Sequence, residues 1–336
     1  MKKLIAIGEA LIDFIPAQTG RLQDVTSFEP HVGGAPCNVC GAFARLGGTS
    51  AMITQLGQDG FGDKIVSELK TYGVDTAMIE RTSEANTSLA FVALQADGNR
   101  EFSFYRKPGA DMLMRPDQLR EEGFRDCGFL HFCSVSLGDF PMCQAHRQAI
   151  TLARRQGALI SFDPNIRLPL WPNAEACRKA VREFLPLAEI IKISDEELEF
   201  ITGTNDLREA KAFLFTERTQ LVLYTCGSRG AYALTRGAEI YEPSLSVEAL
   251  DTTGAGDGFI GSFLYQCARD HVDDLTACSP EQLPGQRRFL RRQHPTERRN
   301  FFLSDPTDRI ISNFPISSAD ALVSATTSAA AHPPPF

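Results

Sequence analysis

The chain has no apolar run of about 18 or more residues, the length a membrane-crossing helix needs, so no spanning segment is expected. Its opening Met-Lys-Lys-Leu-Ile-Ala-Ile has the look of a signal sequence, but Glu9 and Asp13 break the run early. Basic residues are the minority charge: 34 Lys and Arg stand against 42 Asp and Glu, a net charge of −8 over 336 residues. Such a surface repels phosphate backbones and anionic lipid, which argues against nucleic-acid or membrane binding. Nine cysteines, an odd number scattered through a long chain, do not make a secreted disulfide framework, and a reducing cytoplasm suits them better. No Gly-x4-Gly-Lys-Ser/Thr occurs, which excludes a P-loop enzyme.

What is present is a regular alternation. Leu4–Ile7 is a short apolar run closed by Gly8, as expected of a buried strand. Gly33-Gly34-Ala35-Pro36 opens a helical stretch to Leu46, with Pro36 suited to a first turn. A strand over 51–56 and a helix over 63–72 follow, then strands over 128–133, 158–162, 189–193 and 221–225 with helices over 143–156 and 174–187 between them. Strand–helix alternation of this kind predicts an α/β layer structure. One region interrupts it: 87–95 and 100–106 read as a hairpin around Ala96-Asp-Gly-Asn99, with Phe102 and Phe104 on one face.

Beyond about residue 283 the pattern stops. Residues 284–336 hold seven of the 19 prolines and one of the 26 glycines, and 285–336 have seven Arg, no Lys and four acids. The composition favours loop or disorder. Its arginine pairs lack interleaved aromatics and a nucleic-acid fold signature, so a solvated tail is expected. The change in charge, glycine, proline and periodicity is abrupt enough to suggest a shifted reading frame from about residue 284.

The strongest chemical signal is Asp251-Thr-Thr-Gly-Ala-Gly-Asp257-Gly-Phe259. A strand feeds a glycine-rich turn that opens a helix, so the amides of Gly254, Ala255, Gly256 and Asp257 can converge on an anion. A carboxylate in that first turn, Asp257, is placed to take a proton from an alcohol while the amides hold a moving phosphoryl group.

Asp251-Thr-x-Gly-Ala-Gly-Asp257 resembles the C-terminal signature of the ribokinase-like (PfkB-type) sugar kinases, and Gly33-Gly34-Ala35-Pro36-Cys37-Asn38-Val39 resembles their N-terminal one. The resemblance covers roughly residues 1–280 in order. The wording around Gly8–Asp13 and Arg100–Pro108 is most similar to the fructokinase branch. It implies an α/β fold, a ribokinase-like mostly parallel sheet between helices with a small β lid, drawn from about 12–32 and 86–106 of a domain spanning 1–283. It also implies ATP-dependent phosphorylation of fructose, with Mg2+ on the nucleotide and K+ as an additional cation. An acceptor such as 2-keto-3-deoxygluconate is the alternative, or a catalytically impaired sugar-binding relative.

By the same resemblance Asp257 is the base and Gly254, Ala255 and Gly256 form the anion hole. Asp13, Gly33, Gly34, Asn38 and Phe104 face the sugar. Arg167 belongs with the substrate and, with Lys192, would neutralise nucleotide phosphates; Lys192, Glu197, Thr225 and Gly227 belong with the nucleotide. Ser194 stands where the family's Asn-x-x-Glu motif has an amide. Asp251 and Thr253 would help hold a monovalent cation, and the lid would pair two copies as a homodimer. Cys37-x-x-Cys40 has no second pair at metal-binding spacing and reads as two small core residues.

Overall fold

The computed structural model describes residues 1–94, 100–244, 254–272 and 275. In chain order the strands and helices are β1 (Lys3–Ile7), β2 (Leu11–Pro16), β3 (Phe28–Gly33), α1 (Ala35–Arg45), β4 (Ser50–Gly57), α2 (Gly60–Thr71) and β5 (Ile79–Thr82). Then come β6 (Leu89–Leu94), β7 (Arg100–Tyr105), β8 (Cys127–Cys133), α3 (Pro141–Arg155), β9 (Leu159–Asp163), α4 (Ala174–Phe184) and β10 (Ile190–Ser194). The chain continues through α5 (Asp195–Thr202), α6 (Leu207–Leu214), β11 (Leu221–Thr225), β12 (Ala231–Leu234), β13 (Glu239–Glu242) and α7 (Ala255–Arg269).

Nine strands form one sheet in the order β13-β12-β11-β10-β9-β8-β1-β4-β5. Pairing is parallel from β5 to β11 and antiparallel for β12 and β13. Every residue of β4, β8 and β9 is buried, the pattern of a parallel sheet covered on both faces. On one face Phe132, Phe162 and Phe184 anchor the largest apolar cluster beneath α3 and α4. On the other, Val39 and Phe43 of α1 meet Ile260 and Phe263 of α7. These two helices touch closely at Gly261, where a Cβ would stand 2.9 Å from both the Ala42 Cβ and the Val39 carbonyl. No helix of the described residues is long and apolar enough to cross a membrane.

The remaining four strands make a second, smaller sheet ordered β3-β2-β6-β7. The hairpin expected over 87–106 is present as β6 and β7, antiparallel with Ala90 opposite Phe104 and Val92 opposite Phe102. Its turn, 95–99, lies outside the described residues, as does everything from 276 onward. Alternation divides this sheet into two faces. Phe14 stacks on Phe91 with ring centres 4.6 Å apart on one face, and Asp13, Phe102 and Phe104 lie on the other.

Helix boundaries differ from the apolar pattern where capping decides them. Helix α2 begins at Gly60 rather than Asp63 because the Asp59 carboxylate accepts the Gly62 amide at 2.8 Å. Helix α4 ends at Phe184 rather than Leu187, since Pro186 has no amide hydrogen to extend it and the chain tightens into a 3-10 turn.

Candidate active site

The carboxyl ends of parallel strands bring the polar residues together. Glu9 follows β1, Ser134 to Ser136 follow β8, and Asp163, Ser194 and Thr225 end β9, β10 and β11. Because β1 lies between β8 and β4, the connections diverge there, which opens a crevice at this edge. The face of the second sheet that carries Asp13, Phe102 and Phe104 covers it, leaving a cavity of about 590 Å3.

Asp257 lies in the first turn of α7, whose opening amides have no acceptor within the helix, and Gly254, Gly256 and Asp257 line the cavity. Gly254 starts that turn at φ +75°, a conformation that strains other residues. The contact at Gly261 sets the partner of Asp257: one turn earlier along both helices, Asn38 Nδ2 donates to Asp257 Oδ2 at 2.9 Å. Burial pushes the Asp257 carboxyl above the usual aspartate range, and the Asn38 hydrogen bond, Lys192 and Arg167 pull it partly back. A base raised in this way holds a proton more readily than an ordinary aspartate.

On the side of the second sheet, Asp13 of β2 faces the cavity with its carboxylate packed over Gly33, where a Cβ would fall 2.0 Å from Oδ2. Gly34 holds φ +104°, and a Cβ there would fall 2.5 Å from the Glu9 carbonyl, so the entry into α1 requires glycine. Asn38 Oδ1 is buried and has no hydrogen-bond partner among the described residues, leaving an acceptor for a ligand donor. Phe104 stacks on Phe102 at 5.8 Å and lines the same wall. Arg167 is exposed at the mouth, and its charge acts on both Asp13 and Asp257. Burial lifts Asp13 to about 7, with Arg167 opposing the shift and Asp257 and Glu9 adding to it.

Two residues here carry no role in the sequence reading. Glu9 is only 2% exposed yet lines the cavity; it accepts from the Ala35 amide at 3.3 Å and from Ser136 Oγ at 3.1 Å. Burial pushes its carboxyl to about 7 against the pull of Arg106. Arg106, equally buried, binds Asp111 through Nε at 2.9 Å and through Nη2. The available signal was a lone acid directly after a buried apolar strand, and an Arg five residues before an Asp.

The third wall gathers Lys192, Glu197, Thr225 and Gly227. Lys192 Nζ lies 3.0 Å from Asp163 Oδ2 and would be 3.0 Å from a Cβ at Gly256, so its charge overhangs the amide cradle. Burial works against its protonated form, but Asp163, Glu197 and Asp257 outweigh it and hold the ammonium. Glu197 ties two loops: Oε1 accepts from the Ile166 amide at 2.8 Å, and Oε2 from the Ser194 amide and hydroxyl at 3.0 Å. Ser194 also accepts the Glu197 amide, so the residue replacing the family's Asn caps α5. No group of three or more His, Cys, Asp or Glu among the described residues forms a metal cage. Asp251 and Thr253 lie outside the described residues. Cys37 and Cys40 are both fully buried in the core beside β4, and burial pushes the Cys40 thiol to about 12.

Comparison with known proteins gives the family and the fold. Residues 1–278 match the family described as pfkB family carbohydrate kinase. Fructokinase-2 of Solanum lycopersicum is 42% identical over 280 residues, which make up 83% of this chain and 84% of that one. A fructokinase structure from Xylella fastidiosa with bound ATP superposes with a TM-score of 0.78 at 36% identity, covering 87% of this chain and 89% of the other. A fructokinase structure from Vibrio cholerae O395, in its fructose-, ADP- and calcium-bound form, gives a TM-score of 0.72 at 32% identity, covering 80% and 84%.

Proposed function

The chain belongs to the pfkB family of carbohydrate kinases, and we propose that the sugar it phosphorylates with ATP is fructose, at the 6-hydroxyl. The observation that carries this reading is Asp257, a buried base at the mouth of an amide cradle and hydrogen-bonded to Asn38 of the sugar wall. Asp257 takes the hydroxyl proton, and the amides of Ala255, Gly256 and Asp257 hold the charge of the transferring phosphoryl group. Lys192 adds a fixed positive charge over the cradle. Asp13, Asn38 and the backbone at Gly33 and Gly34 hold the sugar, and Phe104 covers its apolar side. The second sheet then acts as a lid that excludes water, the competing acceptor.

Glu9, Asp13 and Asp257 line the cavity, while of its cations Lys192 is committed to Asp163 and Arg167 stands exposed at the mouth, and the buried Arg106 behind Glu9 is committed to Asp111. That charge balance favours a neutral polyol over a sugar acid such as 2-keto-3-deoxygluconate. Titration calorimetry with each compound tests the choice: fructose binds, and the sugar acid binds at least about tenfold more weakly. Equal or tighter binding of the acid defeats the fructose reading.

Mg2+ would enter with ATP and neutralise phosphate charge, with Glu197 of the third wall as the carboxylate able to hold its water. Activation by K+ is part of the proposal, through Asp251 and Thr253. So is pairing of two copies through the second sheet, where Tyr105, on the face away from the cavity, is 64% exposed. The family match ends at residue 278, and the similarity to the tomato relative leaves the remainder of both chains unmatched. This supports a shifted reading frame from about residue 284. Nucleotide binding is then weakened, while the base, the cradle and the sugar pocket stay in place.

A further inference from the structure

We propose that the buried Arg106–Asp111 ion pair is a latch at the root of the second sheet, placing its strands and the Glu9 carboxylate as one unit. The proposal rests on the reading of that sheet as a lid over a sugar.

Arg106 directly follows β7, and Ser88 directly precedes β6, so the pair sits where both strands of the hairpin leave the body. Asp111 joins them: its Oδ2 receives two hydrogen bonds from Arg106, and its Oδ1 receives one from Ser88 Oγ. The Ser88 carbonyl in turn accepts the Ile12 amide of β2 at 3.1 Å. Three of the four strands are therefore tied to one carboxylate. The crossing is too tight for a side chain at Gly109, where a Cβ would meet Ser88 Oγ at 1.9 Å.

The body side is equally specific. Ala110 is held by the Asn86 carbonyl through its amide at 2.9 Å and by Gln55 through its carbonyl at 3.1 Å. The guanidinium lies 5.5 Å over the ring of Phe140. Arg106 Nη2 donates to Ser136 Oγ at 3.3 Å, and Ser136 Oγ donates to Glu9 Oε2 at 3.1 Å. A single hydroxyl thus connects the latch to an acid that lines the sugar cavity.

Both side chains of the pair are nearly inaccessible, 3% and 1% exposed, so removing one charge strands the other. The strong test is therefore a double variant, Arg106→Met with Asp111→Leu, which removes both. Two milder variants separate the parts: Ser88→Ala cuts the tie to β6, and Ser136→Ala cuts the connection to Glu9. Amide hydrogen exchange is measured on the full chain without ligand, and the fructose KM is measured by ADP release.

The double variant and Ser88→Ala should speed exchange in β6 and β7 by about tenfold or more while β8 and β9 keep their protection. Ser136→Ala, which also removes one acceptor of Arg106, should speed that exchange less than Ser88→Ala does and raise the fructose KM by about tenfold, as the Glu9 carboxylate loses a hydrogen-bond donor. If the double variant does not fold, Ser88→Ala decides the exchange arm. Exchange that rises equally in β8 and β9, or not at all, overturns the latch, as does an unchanged KM in Ser136→Ala. A wild-type protein that leaves fructose unphosphorylated defeats the fructose reading instead, and the exchange contrast still decides the latch.

Discussion

Asn38 and Asp257, 219 positions apart in the chain, meet in a buried 2.9 Å hydrogen bond that joins the sugar wall to the phosphoryl cradle. The bond stabilises the charged form of Asp257 against the burial that disfavours it. Asn38→Leu keeps most of the volume and removes the donor, so the Asp257 carboxyl should rise further. The base must be deprotonated to act, so activity is lost as pH falls through its pKa. The acid limb of kcat in the variant should therefore move up by roughly one pH unit. An unmoved limb would separate Asn38 from the base.

Asp13 carries an opposite balance of function and stability. Its carboxyl rises from an ordinary 3.8 to about 7 on folding, so the folded state holds the proton more tightly than the unfolded one. Its contribution to stability is full at low pH and is lost as pH rises from about 4 toward 7. Asp13→Asn removes that loss. At pH 7.5 the variant should melt a few degrees above wild type, about 2–6 °C, and the gap should close at pH 4. Its fructose KM should rise at the same time. A variant that melts lower at pH 7.5 contradicts the burial argument.

Gly256 faces Lys192 Nζ, the mobile end of a flexible side chain, so Gly256→Ala should fold normally. The added methyl displaces the ammonium from the cradle. We expect kcat to fall roughly tenfold with fructose affinity unchanged, the signature of a group that acts on the transition state. Equal losses in kcat and fructose affinity would place Gly256 in the sugar site instead.

Much of this was legible in the residues. Continuous apolar runs such as Leu4–Ile7 mark central parallel strands, because strands covered on both faces need no polar positions. The resemblance of two separated motifs placed Asp257, Asn38 and the paired glycines in one site before any geometry was known. Strands β2 and β3 were harder, since Asp13, Pro16, Glu29 and Pro30 interrupt any apolar period. Glu9 and Arg106 escaped because their meaning is in their neighbours. Glu9 acquires its role from Ser136, 127 residues away, and Arg106 from sharing Asp111 with Ser88. Sequence spacing does not encode such meetings.

The segment from about residue 284 is open to a direct exchange. Replacing 284–336 with the corresponding segment of the tomato fructokinase should tighten ATP binding by about tenfold or more, measured by calorimetry. Fructose affinity should change little, since the sugar wall is built from residues before 170. Unchanged ATP affinity would count against the shifted frame.

The central claim is that Asp257 of this chain deprotonates fructose for attack on ATP. The direct measurement is coupled ADP release with fructose, glucose, ribose and 2-keto-3-deoxygluconate, run on wild type and on Asp257→Asn, with the sugar phosphate identified. The account predicts the highest kcat/KM for fructose, fructose 6-phosphate as product, and a kcat in Asp257→Asn lower by about 10²–10⁴-fold with fructose affinity retained. A preference for the sugar acid, or wild-type turnover in Asp257→Asn, would contradict it.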